Sequence, residues 1–207
     1  MFASKEEEWF NEYVQELVAE GYIEYFTYQP DSIELAPEAS VHARTATKSG
    51  RVDESIVLAK KVSYTPDWKI YWSNKAFGMF FWEQDGVYPK HFYPYRKANH
   101  DAFIPFYAEN NVSVIDVKGE FIGRSNTSAI TFPILQKWLL SKGIYVQKVV
   151  VSLGEKGLFN RTFTPVKIIH DEVYKNDYKK NGNIVAKAGE SKLKYKPIIL
   201  EQYVNRK

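Results

Sequence analysis

The 207-residue chain contains no cysteine. Disulfides, thiolate metal sites and a cysteine nucleophile are thereby excluded. Histidine is sparse: His42, His91, His100 and His170 show neither H-x-x-x-H nor H-E-x-x-H spacing, which argues against a zinc site. No apolar run approaches the about 18 residues that a membrane span requires. The first residues are acidic, where a secretory signal would place a basic stretch ahead of an apolar one. Together with the lack of cysteine, this gives the expectation of a cytoplasmic protein with no membrane partner. There is no G-x-S-x-G elbow, and Gly154-Glu155-Lys156-Gly157 reads as a turn and not as a phosphate-binding loop.

What the chain does contain is ordinary globular material with two biases. Hydrophobic residues make up 44% and charged residues 26%, enough for one domain with a core. The first bias is aromatic: 15 Tyr, 13 Phe and 5 Trp serve cores and contact surfaces alike. The second is in the placement of charge, since the net charge is only +3. Residues 1–24 hold seven Glu against one Lys, whereas residues 175–207 hold nine Lys or Arg against three acids. The basic end predicts a C-terminal extension, 171–207, beyond a domain spanning 1–170, and a surface that could meet a polyanion.

Taken in order, Ser4 caps a predicted helix that runs to about Glu20, with Glu7 as its capping-box partner. Phe10, Tyr13, Val14, Leu17 and Val18 form its apolar face and Gly21 ends it. Tyr22–Gln29 reads as a strand and Ser32–Leu35 as a shorter one. The polar stretch from Ala36 to Asp53, with His42, Arg44, Lys48 and Arg51, reads as an exposed basic loop. Strands are expected at Ile56–Val62 and Trp68–Trp72. Residues 73–111 form an aromatic segment in which Phe77–Trp82 could be a strand, and Arg96 and Lys97 lie among its rings. Aromatics interleaved with basic residues suit stacking on unpaired bases, and equally a small aromatic subcore. Val112–Val117 is a predicted strand. A helix over Phe132–Lys142 follows, capped by Thr131, with Ile134, Leu135, Trp138 and Leu139 buried. Ile144–Ser152 is a β-branched run expected beside the Val112 strand. Leu158–Ile169 reads as holding one more short strand, and Asn181-Gly182-Asn183 marks a turn between two polar, weakly strand-like stretches. The fold class that results is α/β, with a mixed central β-sheet flanked by helices.

Chemistry concentrates at two stretches, Val114-Ile115-Asp116-Val117-Lys118-Gly119 and Tyr64-Thr65-Pro66-Asp67-Trp68. Each sets an acid beside an apolar, strand-like run. Residues i and i+2 of a strand share a face, so Asp116 and Lys118 point one way and Val117 the other. Hydrolysis of a phosphodiester needs a water made nucleophilic and a developing oxyanion neutralised, and a divalent cation does both. Mg²⁺ commonly takes one or two carboxylates and keeps places for water and phosphate. Asp67 and Asp116 supply those carboxylates if their strands are neighbours. Lys118 would orient or deprotonate the water or hold the phosphate, and the Val117 carbonyl remains as a further ligand.

Thr65-Pro66-Asp67 followed by Asp116-Val117-Lys118-Gly119 resembles the PD-(D/E)XK nuclease superfamily. The similarity is greatest to phage-type endonucleases and resolvases, which also carry an N-terminal S-K-x-E helix start, matched here by Ser4-Lys5-Glu6-Glu7. The resemblance covers roughly residues 4–152. It implies a restriction-endonuclease-like core and a Mg²⁺- or Mn²⁺-dependent endodeoxyribonuclease, which leaves a 5′-phosphate and a 3′-hydroxyl. Its metal ligands would be Glu7, Asp67, Asp116 and Val117, with Lys118 as the catalytic lysine. The adjacent Glu6 and Glu8 are alternatives to Glu7. A helix after the D-x-K strand would contribute Gln136 or Lys137, and Arg44, Lys48, Arg51, Arg96 and Lys97 are candidate nucleic-acid contacts. DNA is the implied partner, a homodimer is one implied assembly, and a phage-encoded protein would work in the host cytoplasm. Asp67 and Asp116 stand 49 positions apart, farther than the family's short hairpin, so 73–111 would be an insertion. The alternative from another class is a non-catalytic nucleic-acid-binding protein that keeps a nuclease-like fold within a larger complex.

Overall fold

Alternation of Trp68, Ile70 and Trp72 with Lys69 and Tyr71 makes a strand that buries one face almost completely. This strand lies inside a four-stranded sheet with a hydrophobic cluster on each face. The computed structural model describes residues 2–47, 50–80, 111–119, 127–174, 178–180, 183–186, 191 and 193–206. Strands β1 (Ile23–Tyr28), β2 (Ile33–Ala36), β3 (Ala39–Thr47), β4 (Gly50–Ala59), β5 (Val62–Tyr64) and β6 (Trp68–Trp72) follow helix α1 (Lys5–Ala19). Then come β7 (Val112–Lys118), α2 (Thr127–Ser141) and β8 (Val146–Val150). Short helices α3 (Leu158–Arg161) and α4 (Val166–Ile168), a π-helical turn (Ile169–Tyr174), β9 (Tyr178–Lys180), β10 (Asn183–Ala186) and α5 (Leu200–Val204) complete the order.

The central sheet runs β1-β6-β7-β8. β1 and β6 pair antiparallel, β6 and β7 antiparallel, and β7 and β8 parallel, with α2 in the connection. The architecture is therefore mixed α/β with a mixed sheet and few helices. One face carries Ile115 and Val117 of β7, Val149 of β8 and the β6 tryptophans, packed against Phe10, Tyr13, Val14 and Leu17 of α1. Tyr13 stacks on Phe163 at 4.3 Å between ring centroids, and Phe10 meets Trp68 edge-on at 5.0 Å. The other face carries Val114 and Val146 beneath Phe132 and Leu139 of α2, together with Leu35 of β2.

Local chemistry sets the limits of α1. Ser4 Oγ accepts the Glu7 amide at 3.2 Å, and Gly21, at φ 72°, takes the left-handed position that lets Tyr22 N reach the Leu17 carbonyl at 2.8 Å. The main departures from pattern reading lie elsewhere. The polar stretch 36–53 is not a loop but most of a hairpin, β3–β4, with Val41 opposite Ile56 and Arg44 opposite Asp53. A ribbon with both faces in water needs no apolar alternation, so its polarity imitates a loop. Among the described residues 77–80 there is no strand; a 3₁₀ turn (Asn74–Ala76) leads instead to Phe80, which is fully buried in the core. Residues 158–169 hold α3 and α4 in place of the expected strand.

α2 starts at Thr127, four residues before the expected cap, and runs through Pro133. Its buried positions are Phe132 and Leu139 with Leu135 partly covered, whereas Ile134 is 62% and Trp138 39% exposed. Two apolar stripes fit this helix equally well, and contact with Val114 and Val146 selects one of them. The chain end returns to the core: Leu200 and Tyr203 are buried in the main cluster, and Thr164 N donates to the Ile198 carbonyl at 2.8 Å. Among the described residues no helix is long and apolar enough to cross a membrane.

Candidate active site

Pro66 has no amide hydrogen, so the β6 ladder cannot extend through it. The strand begins two residues later, and Asp67 stands at the junction. Its backbone N donates to the Ile115 carbonyl at 3.0 Å, and its carboxylate Oδ2 accepts Val117 N at 2.6 Å. The side chain thus takes the place of the backbone acceptor that β6 would have offered one step further on. Because Trp68 is the register partner of Ile115, Asp67 falls opposite Asp116 across the two strands. The 49 positions between them in sequence close into neighbouring strands. The Val117 N–H points past the start of β6, and in a strand the carbonyl of the same residue points to that side too.

Asp116 is 4% exposed. Its Oδ1 accepts the Tyr64 hydroxyl at 2.7 Å, and Lys118 Nζ lies 2.6 Å from its Oδ2. The lysine contact is an ion pair without hydrogen-bond alignment, so Oδ2 has a charge beside it but no aligned donor. Alternation does place Asp116 and Lys118 on one face while Val117 enters the core. Burial pushes the Asp67 carboxyl up to about 6, and the Asp116 carboxylate and Glu7 add to the rise; the Val117 amide and Lys118 oppose it. Burial, followed by the charge and hydrogen bond of Asp116, raises Tyr64 well above its ordinary value, so this phenol remains a donor at any working pH.

The α1 glutamates divide by direction. Glu7 Oε2 accepts Ala3 N at 3.1 Å and the Tyr28 hydroxyl at 2.7 Å; the capping-box bond expected to Ser4 N goes to Ala3 N instead. Tyr28 is the register partner of Trp68, one residue from Asp67, which brings Glu7 to the acidic end of β6. Glu6 lies against Gly119, where an added Cβ would sit 2.8 Å from Glu6 Oε1. Glu8 contributes its charge to Lys167 on α4, away from Asp67.

The remaining sequence candidates do not gather here. The Gln136 amide donates to the Val146 carbonyl at 2.7 Å, bracing α2 on β8. Lys137 is exposed on α2. Arg44 pairs with Asp53 within the β3–β4 hairpin at 2.8 Å. Arg51 lies on β4, with its side chain outside the described residues; Lys48, Arg96 and Lys97 lie outside them altogether. Three neighbours escaped sequence reasoning. Tyr64 stands at the head of the T-P-D stretch, where its adjacency was the one available signal. Tyr28 had none, and Lys148 becomes the register partner of Asp116 only through the β7–β8 pairing.

Among the described residues no group of three His, Cys, Asp or Glu side chains is arranged to hold a metal ion. The donors at hand are a pair of facing carboxylates, one with a buried oxygen that lacks an aligned donor, and a backbone carbonyl. That set suits a hard divalent cation, for which one or two carboxylates suffice. Comparison with protein-family models, with curated proteins and with solved structures finds no match for this chain.

Proposed function

We propose that the chain is a metal-dependent endodeoxyribonuclease of the PD-(D/E)XK kind, built on a restriction-endonuclease-like core. The observation that carries this reading is the Asp67–Asp116 pair on neighbouring strands with Lys118 at 2.6 Å from Asp116. Two opposed carboxylates destabilise a sheet. Here they stand opposed, and one is driven up to about 6, which supports the reading of a site beyond what folding requires.

Asp67, Asp116 and the Val117 carbonyl would hold Mg²⁺ or Mn²⁺, with Glu7 or Glu6 at the rim. Bound there, the cation would acidify a water and neutralise charge developing on the phosphate. Tyr64 fixes the Asp116 carboxylate by donating to Oδ1, and Oδ2, beside the Lys118 ammonium, would turn to the cation as Lys118 swings to the phosphate or water. The Lys118 side chain is a quarter exposed and its ammonium pairs with the buried acid, a position from which it would reach a phosphate oxygen or attacking water. The Asp67 carboxylate is oriented by the Val117 amide.

The test is incubation with plasmid, branched and single-stranded DNA in Mg²⁺, Mn²⁺ or EDTA, for the wild type and Lys118→Ala. Metal-dependent nicking with 5′-phosphate and 3′-hydroxyl ends is expected, lost in the variant while DNA binding survives. Undiminished cleavage by Lys118→Ala would remove the lysine from the mechanism. Salt-sensitive binding by the wild type with no cleavage in either metal would replace the enzyme with a binding protein.

A further inference from the structure

The sheet face that carries Asp67 and Asp116 is covered by α2 only over β7 and β8. Over β1 and β6 it bears Thr27, Lys69, Tyr71 and Tyr25, the residues that alternate with the buried set. Tyr25 and Tyr71 are register partners whose rings stack at 3.9 Å and 16°. Tyr25 is 52% exposed on the edge strand, so the outer side of the stacked pair faces solvent. Lys69 Nζ lies 5.1 Å from the Tyr71 ring centroid. A groove of about 400 Å³ leads from Pro66, next to Asp67, along β6 to Tyr71, with Gln29 and Asp31 on its wall.

The geometry of the groove mouth is held under strain. Gln29 has φ 46°, in the left-handed region that a non-glycine residue rarely occupies. Its amide donates to the Asp67 carbonyl at 2.8 Å, which ties this backbone to the acid. Strain of this kind persists where the surroundings over-determine it, and such places cluster at ligand sites.

We propose that this groove carries the DNA strand whose phosphate enters the Asp67–Asp116 site, and that an unpaired base of that strand stacks on the exposed outer face of Tyr25, just beyond the end of the groove at Tyr71. This rests on the nuclease reading for the direction of the strand. A stacked aromatic pair offers a π-face to any base, so recognition is of unpairedness and not of sequence. Lys69, between the platform and the acids, neutralises a backbone phosphate. Four residues of strand separate Asp67 from Tyr71, about 13 Å. That spans about four nucleotide steps of a duplex-like strand at about 3.4 Å each, and fewer of an extended one. The substrate class is therefore branched or flapped DNA with single-stranded nucleotides within about four positions of the cut.

Two readouts separate this proposal from the nuclease reading. Oligonucleotides with 2-aminopurine at successive positions, mixed with the protein in EDTA, report stacking without cleavage. Wild type should quench the fluorophore at one or two adjacent positions. Tyr25→Ala, whose exposed side chain leaves the core intact, should lose the quench and weaken binding about tenfold or more. Tyr25→Phe should restore both, and Lys69→Met should lower the salt dependence of binding by close to one ion. In Mn²⁺, Tyr25→Ala should lose cleavage of flapped DNA at subsaturating enzyme while nicking of paired plasmid is unchanged. Quenching without any metal-dependent cleavage would keep the subsite and overturn the nuclease. Cleavage with no quench at any position, or with quench and affinity equal in wild type and Tyr25→Ala, would overturn the subsite and leave the nuclease standing.

Discussion

Replacing Asp67 with Asn removes one charge from a crowded pair and leaves the shape of the side chain, so its effect on stability can be worked out. The carboxyl rises from its ordinary 3.8 to about 6 in the folded chain. At about 1.36 kcal/mol per unit, the ceiling is about 3 kcal/mol. Asp67 is only partly buried, and solvent screening reduces this to about 1–2 kcal/mol. The direction follows from proton linkage. With the folded pKa above the unfolded one, the native state binds more protons between pH about 4 and about 6. Wild-type stability therefore loses this increment as pH rises through that window, and the penalty is complete above it. Asp67→Asn has no such group. Its stability relative to wild type should rise by about 1–2 kcal/mol from pH 4 to pH 7. The hydrogen bond from Val117 N can pass to the Asn carbonyl oxygen, and whatever that exchange costs is the same at both pH values and cancels. Urea unfolding followed by tryptophan fluorescence in EDTA, at pH steps from 4 to 8, measures the difference. A flat difference, or one that falls with pH, would refute the crowded-carboxylate account.

Other outcomes follow from the same geometry. Mg²⁺ or Mn²⁺ at about 100 times its dissociation constant should stabilise the wild type by about 2.7 kcal/mol at pH 8, and Asp67→Asn far less; equal gains in thermal melts would place the ion elsewhere. Tyr64→Phe deletes a donor to a buried carboxylate and should cost about 1.5–3 kcal/mol in urea unfolding, with a weaker response to metal; an unchanged midpoint would mean that the bond carries nothing. Ala36 and Val62 are register partners, so replacing residues 37–61 with Asn-Gly should close β2 on β5 in a two-residue turn. Circular dichroism and the unfolding midpoint should then report an intact core, and a molten product would show that the β3–β4 hairpin supports it.

Most of the element order was legible from the chain. Helix α1 is set within its own sequence, by Ser4, by the spacing of Phe10, Tyr13, Val14 and Leu17, and by Gly21, and it appears where those residues put it. The parallel partner of β7 was legible as well, because a β-branched run after a helix has few other places to go. The face-sharing of Asp116 and Lys118 needs only the period of a strand. Pattern failed where local signals are degenerate. The 36–53 part of the β3–β4 ribbon is polar and so reads as a loop, and α2 has two apolar stripes of which only packing against Val114 and Val146 selects one.

The candidate site divides along the same line. Sequence alone determined which groups exist and which way they point along their own strands: two acids, a lysine two positions from one of them, and a proline that stops a ladder beside the other. Tertiary structure decided everything that depends on pairing. Register places Asp67 opposite Asp116, burial and mutual repulsion raise the Asp67 carboxyl, and β5 delivers Tyr64 to Asp116. It also sends Glu7 toward Asp67, Glu6 against Gly119 and Glu8 toward Lys167, although the three are consecutive. The physical reason is range. Helical and strand periods are fixed by bonds a few residues apart, whereas the field at a carboxylate sums over neighbours that the chain brings together from dozens of positions away.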